Sequence, residues 1–213
     1  IDKYMGDAIM AFWGAPLADQ AHARHAVRAA LEMQATLTRT NEQFARKGWP
    51  AVHIGVGINT GPMSVGNMGS EFRVAYTVLG DAVNLGSRLE GLTKAYGVSV
   101  LVSETTREAA PEYAYREVDR VRAKGKEQAI AIFEPIGVRG EIDEKWRDEL
   151  KQHAEALKAY RARDWDAAEI GFLNLARTSR SSTLYKVYVE RIKAWRAAPP
   201  APDWGGVHTF TEK

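Results

Sequence analysis

The chain has 213 residues, of which 45% are hydrophobic and 26% are charged, and this is the balance of a soluble globular protein. The formal net charge of +2 is too close to zero to favour a nucleic-acid-binding protein, so we expect no nucleic-acid partner. The absence of cysteine excludes disulfides and thiolate metal sites and fits a cytoplasmic protein, and no apolar run approaches the roughly 20 residues that a membrane-spanning helix needs.

The first predicted element is a β-hairpin, because short apolar segments at 1–3 and 8–13 flank the turn sequence Gly6-Asp7. A helix is predicted over 19–47, where apolar residues recur at helical spacing until Gly48. The chain opens without an initiator methionine and inside a strand pattern. We therefore expect a segment upstream, which can include a sensor or membrane region.

Strict alternation of apolar residues predicts the next strand over 51–59, with one buried face. The residues of that face are Val52, Ile54, Val56 and Ile58. The opposite face carries Gly55 and Gly57. Glycines inside a strand indicate close approach by another backbone or by a ligand.

The pattern alternates strands and helices up to about residue 137 and is helical afterwards. Further strands are predicted at 63–67, 72–79, 98–102, 115–122 and 128–134, with a turn at 67–70. Helices are predicted at 82–96, 105–109, 141–163, 164–177 and 184–197. Because antiparallel hairpins are mixed with helices, we predict an α+β domain over 1–137 and a helical C-terminal extension over 138–213.

The helix predicted at 82–96 carries the first candidate site. Asn84 and Arg88 lie four positions apart and so share one face, beside an apolar stripe. Near a helix N-terminus, arginine offers a planar fork to phosphate, and asparagine can donate to and accept from a ribose. On spacing alone, an ordinary amphipathic helix with a solvated Arg88 is the better interpretation.

Two turns carry further candidates. Asp7 lies at the hairpin turn, a fair position for a ligand of a divalent cation, although aspartate also favours turns for backbone reasons. Lys124-Gly125-Lys126 forms a basic hairpin tip. Taken alone, that tip is typical of a solvated turn that discourages edge pairing.

Together these residues form four motifs in a specific order. The motifs are Lys3-x-x-Gly6-Asp7-x-x-Met10-Ala11-x-x-Gly14, Gly55-x-Gly57-Ile58-Asn59-Thr60-Gly61, Tyr76-Thr77-x-x-Gly80-Asp81-x-Val83-Asn84-x-x-Ser87-Arg88 and Lys124-Gly125-Lys126. Over 1–137 the chain resembles the class III adenylate and guanylate cyclases. The resemblance implies a ferredoxin-like α+β cyclase domain, incomplete at its N-terminus, that forms a head-to-tail homodimer with active sites at the subunit interface.

The resemblance also implies a reaction and its cofactors. The ribose 3′-hydroxyl attacks the α-phosphate, pyrophosphate leaves, and a 3′,5′-cyclic nucleotide forms. Two divalent cations, Mg²⁺ or Mn²⁺, stabilise the attacking and leaving oxygens. Asp7 resembles one of the two carboxylates that bind them. In the family the metal carboxylates come from one subunit, and the base, ribose and phosphate residues from the other.

The remaining motif residues resemble the family's nucleotide-binding set. Lys3 resembles the residue that recognises adenine, and Thr77 stands at the second base-reading position. Asn84 resembles the residue that orients the ribose, Arg88 the one that stabilises transition-state charge, and Lys124 the one that contacts the triphosphate. Guanylate cyclases of the family use Glu and usually Cys at the two base positions, so the resemblance implies ATP as substrate.

One departure from the family pattern concerns the metal site. The family's first metal carboxylate lies upstream of Asp7, on a strand before Lys3, and that segment is absent from 1–213. We therefore expect these residues alone to bind metal poorly and not to cyclise ATP.

The extension weakly resembles a helical segment, with one tetratricopeptide-like hairpin, that follows cyclase domains in some bacterial sensor cyclases. A single such unit cannot bury its own apolar face, so we expect it to pack on the cyclase domain or on another subunit. The tryptophans expected to supply much of that contact are Trp146, Trp165, Trp195 and Trp204. The alternative is a loosely attached helical linker.

Three function hypotheses remain open from the sequence. The first is an adenylate cyclase that acts in signal transduction as a homodimer. The second is a non-catalytic nucleotide-sensing or regulatory module on the same fold, since a fold does not determine a function. The intact motif residues argue against the second, and an upstream carboxylate would favour the first. The third, a scaffold, depends on the extension alone.

Overall fold

The structure is a computed structural model and describes residues 1–70, 72–122, 128–179 and 182–209. The helices are α1 (His22–Arg46), α2 (Asp81–Tyr96), α3 (Glu104–Ala109), α4 (Glu144–Arg161), α5 (Trp165–Thr178) and α6 (Ser182–Ala197). The strands are β1 (Lys3–Met5), β2 (Ala8–Met10), β3 (Val56–Ile58), β4 (Ser64–Ser70), β5 (Arg73–Leu79), β6 (Val100–Ser103), β7 (Tyr113–Arg122), β8 (Ile130–Val138) and β9 (Val207–Thr209). Within the described ranges, none of the helices combines the length and the apolar character needed to cross a bilayer.

A mixed five-stranded sheet forms the centre of the molecule, in the strand order β3-β6-β8-β7-β9. β3 runs parallel to β6 and β9 parallel to β7, whereas β8 is antiparallel to both β6 and β7. The pairs β1–β2 and β4–β5 form separate antiparallel hairpins. The predicted α+β class is confirmed. Because β9 follows α6, the extension adds a strand to the sheet of the preceding segment.

Helices pack against both faces of this sheet. On one face, Val27 of α1 lies in a buried cluster with Val100 and Val102 of β6. Leu101 points to the opposite face, because side chains alternate along a strand. The cluster on that second face joins α2 and the sheet to the extension, and it includes Leu89, Tyr96, Val118, Ile132, Tyr160, Phe172, Tyr188 and Ile192. The expected packing of the extension on the domain is therefore confirmed.

Aromatic side chains hold the extension together around Tyr160. The stacked rings of Phe172 and Tyr188 lie 4.4 Å apart, and the Tyr160 ring meets Tyr188 edge-on at 5.0 Å. Three of the four expected tryptophans pack against this cluster, namely Trp165, Trp195 and Trp204. Trp146 instead lies with its ring 5.7 Å from the guanidinium carbon of Arg116. The domain boundary expected near residue 137 stays a prediction.

The strand predicted over 51–59 is wrong in its first half, since β3 is only three residues long. Val52 and Ile54, expected to be buried, are 43% and 38% exposed. The side-chain amide of Asn41 bonds both the N–H and the carbonyl of Val52, and Gln34 donates to the carbonyl of Ile54. These α1 side chains satisfy the backbone in place of a neighbouring strand.

The turn predicted at 67–70 is also wrong, because β4 continues through Ser70. Its pairing with β5 is unbroken from Ser64 opposite Leu79 to Ser70 opposite Arg73. A continuous ladder satisfies the backbone hydrogen-bonding groups of both strands, and this outweighs the turn preference of the asparagine and glycines in the segment.

Candidate functional site

The β1–β2 hairpin carries two of the predicted site residues, Lys3 at the start of β1 and Asp7 in the turn that follows β1. Its register pairs Met5 with Ala8 and leaves Gly6-Asp7 as a two-residue turn. Gly6 has a φ of 66°, the conformation that such a turn requires and that glycine adopts readily. Asp7 is exposed at the tip. Lys3 lies on the order of 10 Å from Asp7 along the hairpin, so the two side chains cannot contact the same small group of a ligand.

Lys3 and Thr77, the two predicted base-reading residues, are in direct contact. The Lys3 ammonium donates to Thr77 Oγ1 at 3.0 Å, and the Thr77 hydroxyl donates to Asp2 Oδ2 at 2.6 Å. Lys3 Nζ also lies 3.6 Å from the same Asp2 oxygen. The side chain of Asp2 is only 2% exposed, whereas that of Lys3 is 40% exposed. The ammonium therefore has a buried counter-charge on one side and reaches solvent on the other.

The hydrogen-bond chain determines which groups remain available to a ligand. Because the Thr77 proton goes to Asp2, the Thr77 oxygen acts as an acceptor toward everything else. An ammonium has three N–H donors, and Lys3 uses one on Thr77. The site thus presents further donors on the exposed Lys3 beside Thr77, which is 7% exposed and whose oxygen can act as an acceptor. Sequence reasoning missed Asp2, and the only signal was a carboxylate next to the lysine in an apolar segment.

Asn84 and Arg88 lie on the first half of α2, which follows β5 directly through Gly80. Both side chains are exposed. The helical rise separates them by about 6 Å along one face, as predicted. Within the described ranges, neither side chain makes a hydrogen bond or an ion pair, so both are available to a ligand.

The backbone of α2 lies directly on β3. A Cβ atom at Gly57 would lie 2.2 Å from both the Glu90 nitrogen and the Gly86 oxygen, so only glycine fits there. At the start of the helix, the Asn59 side chain donates to the carbonyl of Ala82 at 2.9 Å. The sequence left open whether a backbone or a ligand approaches these glycines, and at Gly57 it is the backbone of α2.

Asp7 is the only predicted metal ligand in the structure. Among the residues that the structure describes, no three His, Cys, Asp or Glu side chains come together as a metal site. Mg²⁺ is often held by one or two carboxylates together with substrate phosphates. An exposed carboxylate at a hairpin tip can supply one ligand of such a site. Asp2 does not supply a second ligand, because it is buried against Thr77. Lys124, the predicted triphosphate ligand, lies outside the described residues.

Both hairpins expose large apolar side chains. In the first, Tyr4 is 68% exposed and Ile9 is 53% exposed. In the second, Val74 and Leu79 are 63% and 59% exposed, and Phe72, just before β5, is 96% exposed. Large apolar side chains exposed on neighbouring strands in this way are candidates for an interaction surface.

Known proteins are similar in sequence to about the first two thirds of the chain. Residues 3–133 match a family model described as the adenylate and guanylate cyclase catalytic domain. The chain is 40% identical over 139 residues to Adenylate cyclase 1 of Rhizobium meliloti (strain 1021), an alignment that covers 65% of this chain and 21% of that protein. It is 42% identical over 142 residues to Adenylate cyclase of Anabaena cylindrica, covering 63% and 27% respectively. The chain thus spans about a quarter of the length of these relatives.

Two solved structures share the fold. The guanylyl cyclase Cya2 is 36% identical with a TM-score of 0.58, covering 67% of this chain and 72% of that one. The adenylyl cyclase CyaB from P. aeruginosa is 30% identical with a TM-score of 0.59, covering 67% and 74%. Since one is a guanylyl and the other an adenylyl cyclase, overall similarity does not decide which nucleotide this chain takes.

Proposed function

Because this chain belongs to the adenylate and guanylate cyclase catalytic domain family, we propose that it is part of an adenylate cyclase that converts ATP to 3′,5′-cyclic AMP and pyrophosphate. The observation that carries the proposal is the contact between Lys3 and Thr77, ordered by Asp2. A cyclic nucleotide made in this way would serve as an intracellular signal.

The choice of ATP follows from the polarity of that contact. The Watson–Crick edge of adenine offers an acceptor at N1 and a donor at its exocyclic N6 amine. A donor on Lys3 beside an acceptor on Thr77 complements this edge. Guanine places a donor at N1 and an acceptor at O6, so each of its groups would meet a protein group of the same kind. A site built to bond one pattern rejects the other strongly.

The roles of the other residues follow from their positions around that base. Asn84 would orient the ribose, and Arg88 would bond the phosphates as negative charge develops on them. In the reaction a bond forms between the ribose 3′-oxygen and the α-phosphorus, the bond to the β-phosphate oxygen breaks, and the 3′-hydroxyl proton is released. Two divalent cations, Mg²⁺ or Mn²⁺, would neutralise charge on the oxygens involved, with Asp7 as one ligand.

A head-to-tail homodimer is the assembly we propose. Lys3 lies at the start of β1 and Asp7 in the turn after it, so one hairpin can contribute to two different sites. The exposed apolar side chains of the two hairpins support burial of this surface against a second copy. We propose that the active protein is cytoplasmic at least in this region and that Lys124 contacts the triphosphate.

The test exchanges the base-reading pair in the natural full-length protein. We expect Lys3→Glu with Thr77→Cys to lower the ratio of kcat/KM for ATP to that for GTP at least about a hundredfold, because the donor and acceptor positions change. The control is Lys151→Glu, the same charge change at an exposed position of α4. Cyclic nucleotide formation from each substrate is the measurement.

Two outcomes would contradict the proposal. A wild-type protein that cyclises GTP faster than ATP would refute the assignment of the base. A wild-type protein that binds ATP with Mg²⁺ or Mn²⁺ but forms no cyclic nucleotide would instead favour the non-catalytic nucleotide-sensing module.

A further inference from the structure

A buried polar cluster joins the C-terminal end of α2 to the extension. The Tyr96 hydroxyl at the end of α2 donates to Asp119 Oδ2 on β7 at 2.5 Å. Arg191 of α6 donates to the same Asp119 oxygen at 2.5 Å and to the Tyr96 oxygen at 3.1 Å. We name these three residues, Tyr96, Asp119 and Arg191, the α2–α6 clamp.

The three clamp residues are shielded from water, and this strengthens the hydrogen bonds between them. Tyr96 is 1% exposed, and the side chains of Asp119 and Arg191 are 2% and 13% exposed. Charged hydrogen bonds shielded from water in this way are difficult to replace, and removal of one partner leaves the other charge buried alone. Burial and the nearby Asp119 carboxylate raise the pKa of Tyr96, which keeps its hydroxyl protonated as a donor.

Packing reinforces the same junction. The guanidinium carbon of Arg191 lies 5.5 Å from the centre of the Tyr96 ring. Gly97, which ends α2, has a φ of 63°, and a Cβ atom there would lie 2.4 Å from Cβ of Thr183 on α6. The last turn of α2 therefore fits directly against α6.

The clamp and the candidate site share one rigid element. Arg88 precedes Tyr96 by eight positions on α2, or about 12 Å along the helix axis. Within the described ranges, the Arg88 side chain makes no hydrogen bond or ion pair that would orient it. The position of Arg88 therefore depends on the position of α2. The clamp fixes the C-terminal end of that helix.

We propose that Arg191 is a positioning residue for the cyclase reaction: with Asp119 it fixes the end of α2 and so places Arg88 at the phosphates. This inference rests on the proposed function. It gives the extension a role in turnover, because Arg191 of α6 donates a hydrogen bond to Tyr96 of α2.

The test compares two arginines of α6 in the natural full-length protein. Arg191→Met removes the clamp charge but keeps a long side chain. Arg196→Met is the matched control, because Arg196 pairs with Asp166 and Glu169 inside the extension. We expect Arg191→Met to lower kcat by about ten- to a hundredfold and to change KM for ATP less than about threefold, since a misplaced catalytic group affects the transition state most. The control should change neither.

A second pair of measurements separates positioning from general destabilisation. In an Arg88→Ala background, Arg191→Met should cause little further loss of kcat, because the two changes act through one residue. Amide hydrogen exchange in residues 84–92 should be faster in Arg191→Met than in the control. Should Arg191→Met fail to fold, Tyr96→Phe, which deletes one hydroxyl, should still lower kcat in the same direction.

Unchanged kcat in Arg191→Met, beside an active wild type, would overturn the inference, and so would a loss that adds in full to that of Arg88→Ala. A wild type without any cyclase activity would instead refute the proposed function. Hydrogen exchange would then still decide whether Arg191 fixes α2, and equal exchange in both arginine variants would exclude it.

Discussion

Gly57 offers a direct test of how α2 is held against the sheet. In Gly57→Ala the added Cβ would lie 2.2 Å from the Glu90 nitrogen and the Gly86 oxygen, whereas ordinary contacts begin at 3.4 Å. Both atoms belong to the helix backbone, so no side chain can rotate away to make room. The helix and β3 must therefore separate by about 1 Å.

The structure sets the size of the expected effect. Overpacking a well-packed site costs typically about 1–3 kcal/mol, and we expect the upper end because the obstacle is backbone. For a chain of this size, about 3 kcal/mol corresponds to a Tm lower by roughly 6–12 °C. Arg88 lies between the two contacted residues, so a shift of about 1 Å should also lower kcat by up to a hundredfold.

The control for this substitution lies on the same helix. A Cβ atom at Gly91 would point into open space, with no atom of another element within 4 Å, so Gly91→Ala should stabilise α2 by about 0.5–1 kcal/mol. Denaturant unfolding followed by circular dichroism measures both variants, and the cyclase assay measures kcat. If Gly57→Ala unfolds at the wild-type denaturant concentration with an unchanged slope, the close approach of β3 and α2 is wrong.

Two further predictions concern buried groups. Asp2→Asn removes the counter-charge of Lys3 and lets the Thr77 hydroxyl rotate. Because hydrogen bonds to charged groups contribute about 1.5–3 kcal/mol, we expect the preference for ATP over GTP in kcat/KM to fall at least about tenfold. An unchanged preference would mean that Asp2 has no part in base selection. Burial lowers the pKa of His153 to about 4, against 6.5 in the unfolded chain. The unfolded state therefore takes up a proton first as the pH falls. Folding stability is lost between about pH 6.5 and about pH 4, by up to about 3 kcal/mol. Urea unfolding across this range should show a shallower loss in His153→Gln than in the wild type, and equal slopes would contradict the assignment.

Local signals were sufficient for some elements and not for others. The Gly6-Asp7 hairpin and α2 were predictable, because a two-residue turn and a helical repeat are each specified by neighbouring residues. The strand predicted at 51–59 failed because alternation does not reveal that side chains of α1 bond its first half. The position of Asp2 against Thr77 joins residues 75 positions apart and leaves no periodic signal.

The contacts between the extension and the sheet were equally hidden in the sequence. Arg116 has a fully buried side chain that bonds Glu134 and, at 2.8 Å, Glu149 of α4. The Tyr185 hydroxyl of α6 accepts from the same arginine at 2.7 Å. Buried charges need such partners, but their identity depends on the packing of distant helices, which composition and spacing do not encode.

Two distant parts of the chain, the end of β3 and α6, together orient α2. Asn59 donates to a carbonyl in the first turn of α2, and Gly57 leaves room for the backbone in the middle of the helix. Arg191 donates to Tyr96 at the end of the helix. Arg88 lies between Gly86 and Glu90, which Gly57 contacts, and precedes the end that Arg191 contacts, whereas the proposed base-reading side chains lie on β1 and β5. Changes at either of the later contacts should therefore lower kcat and leave nucleotide affinity largely unchanged, and changes at β1 and β5 should alter the choice of base. We expect this separation if contacts with β3 and α6, rather than the proposed base-reading side chains, determine where α2 lies.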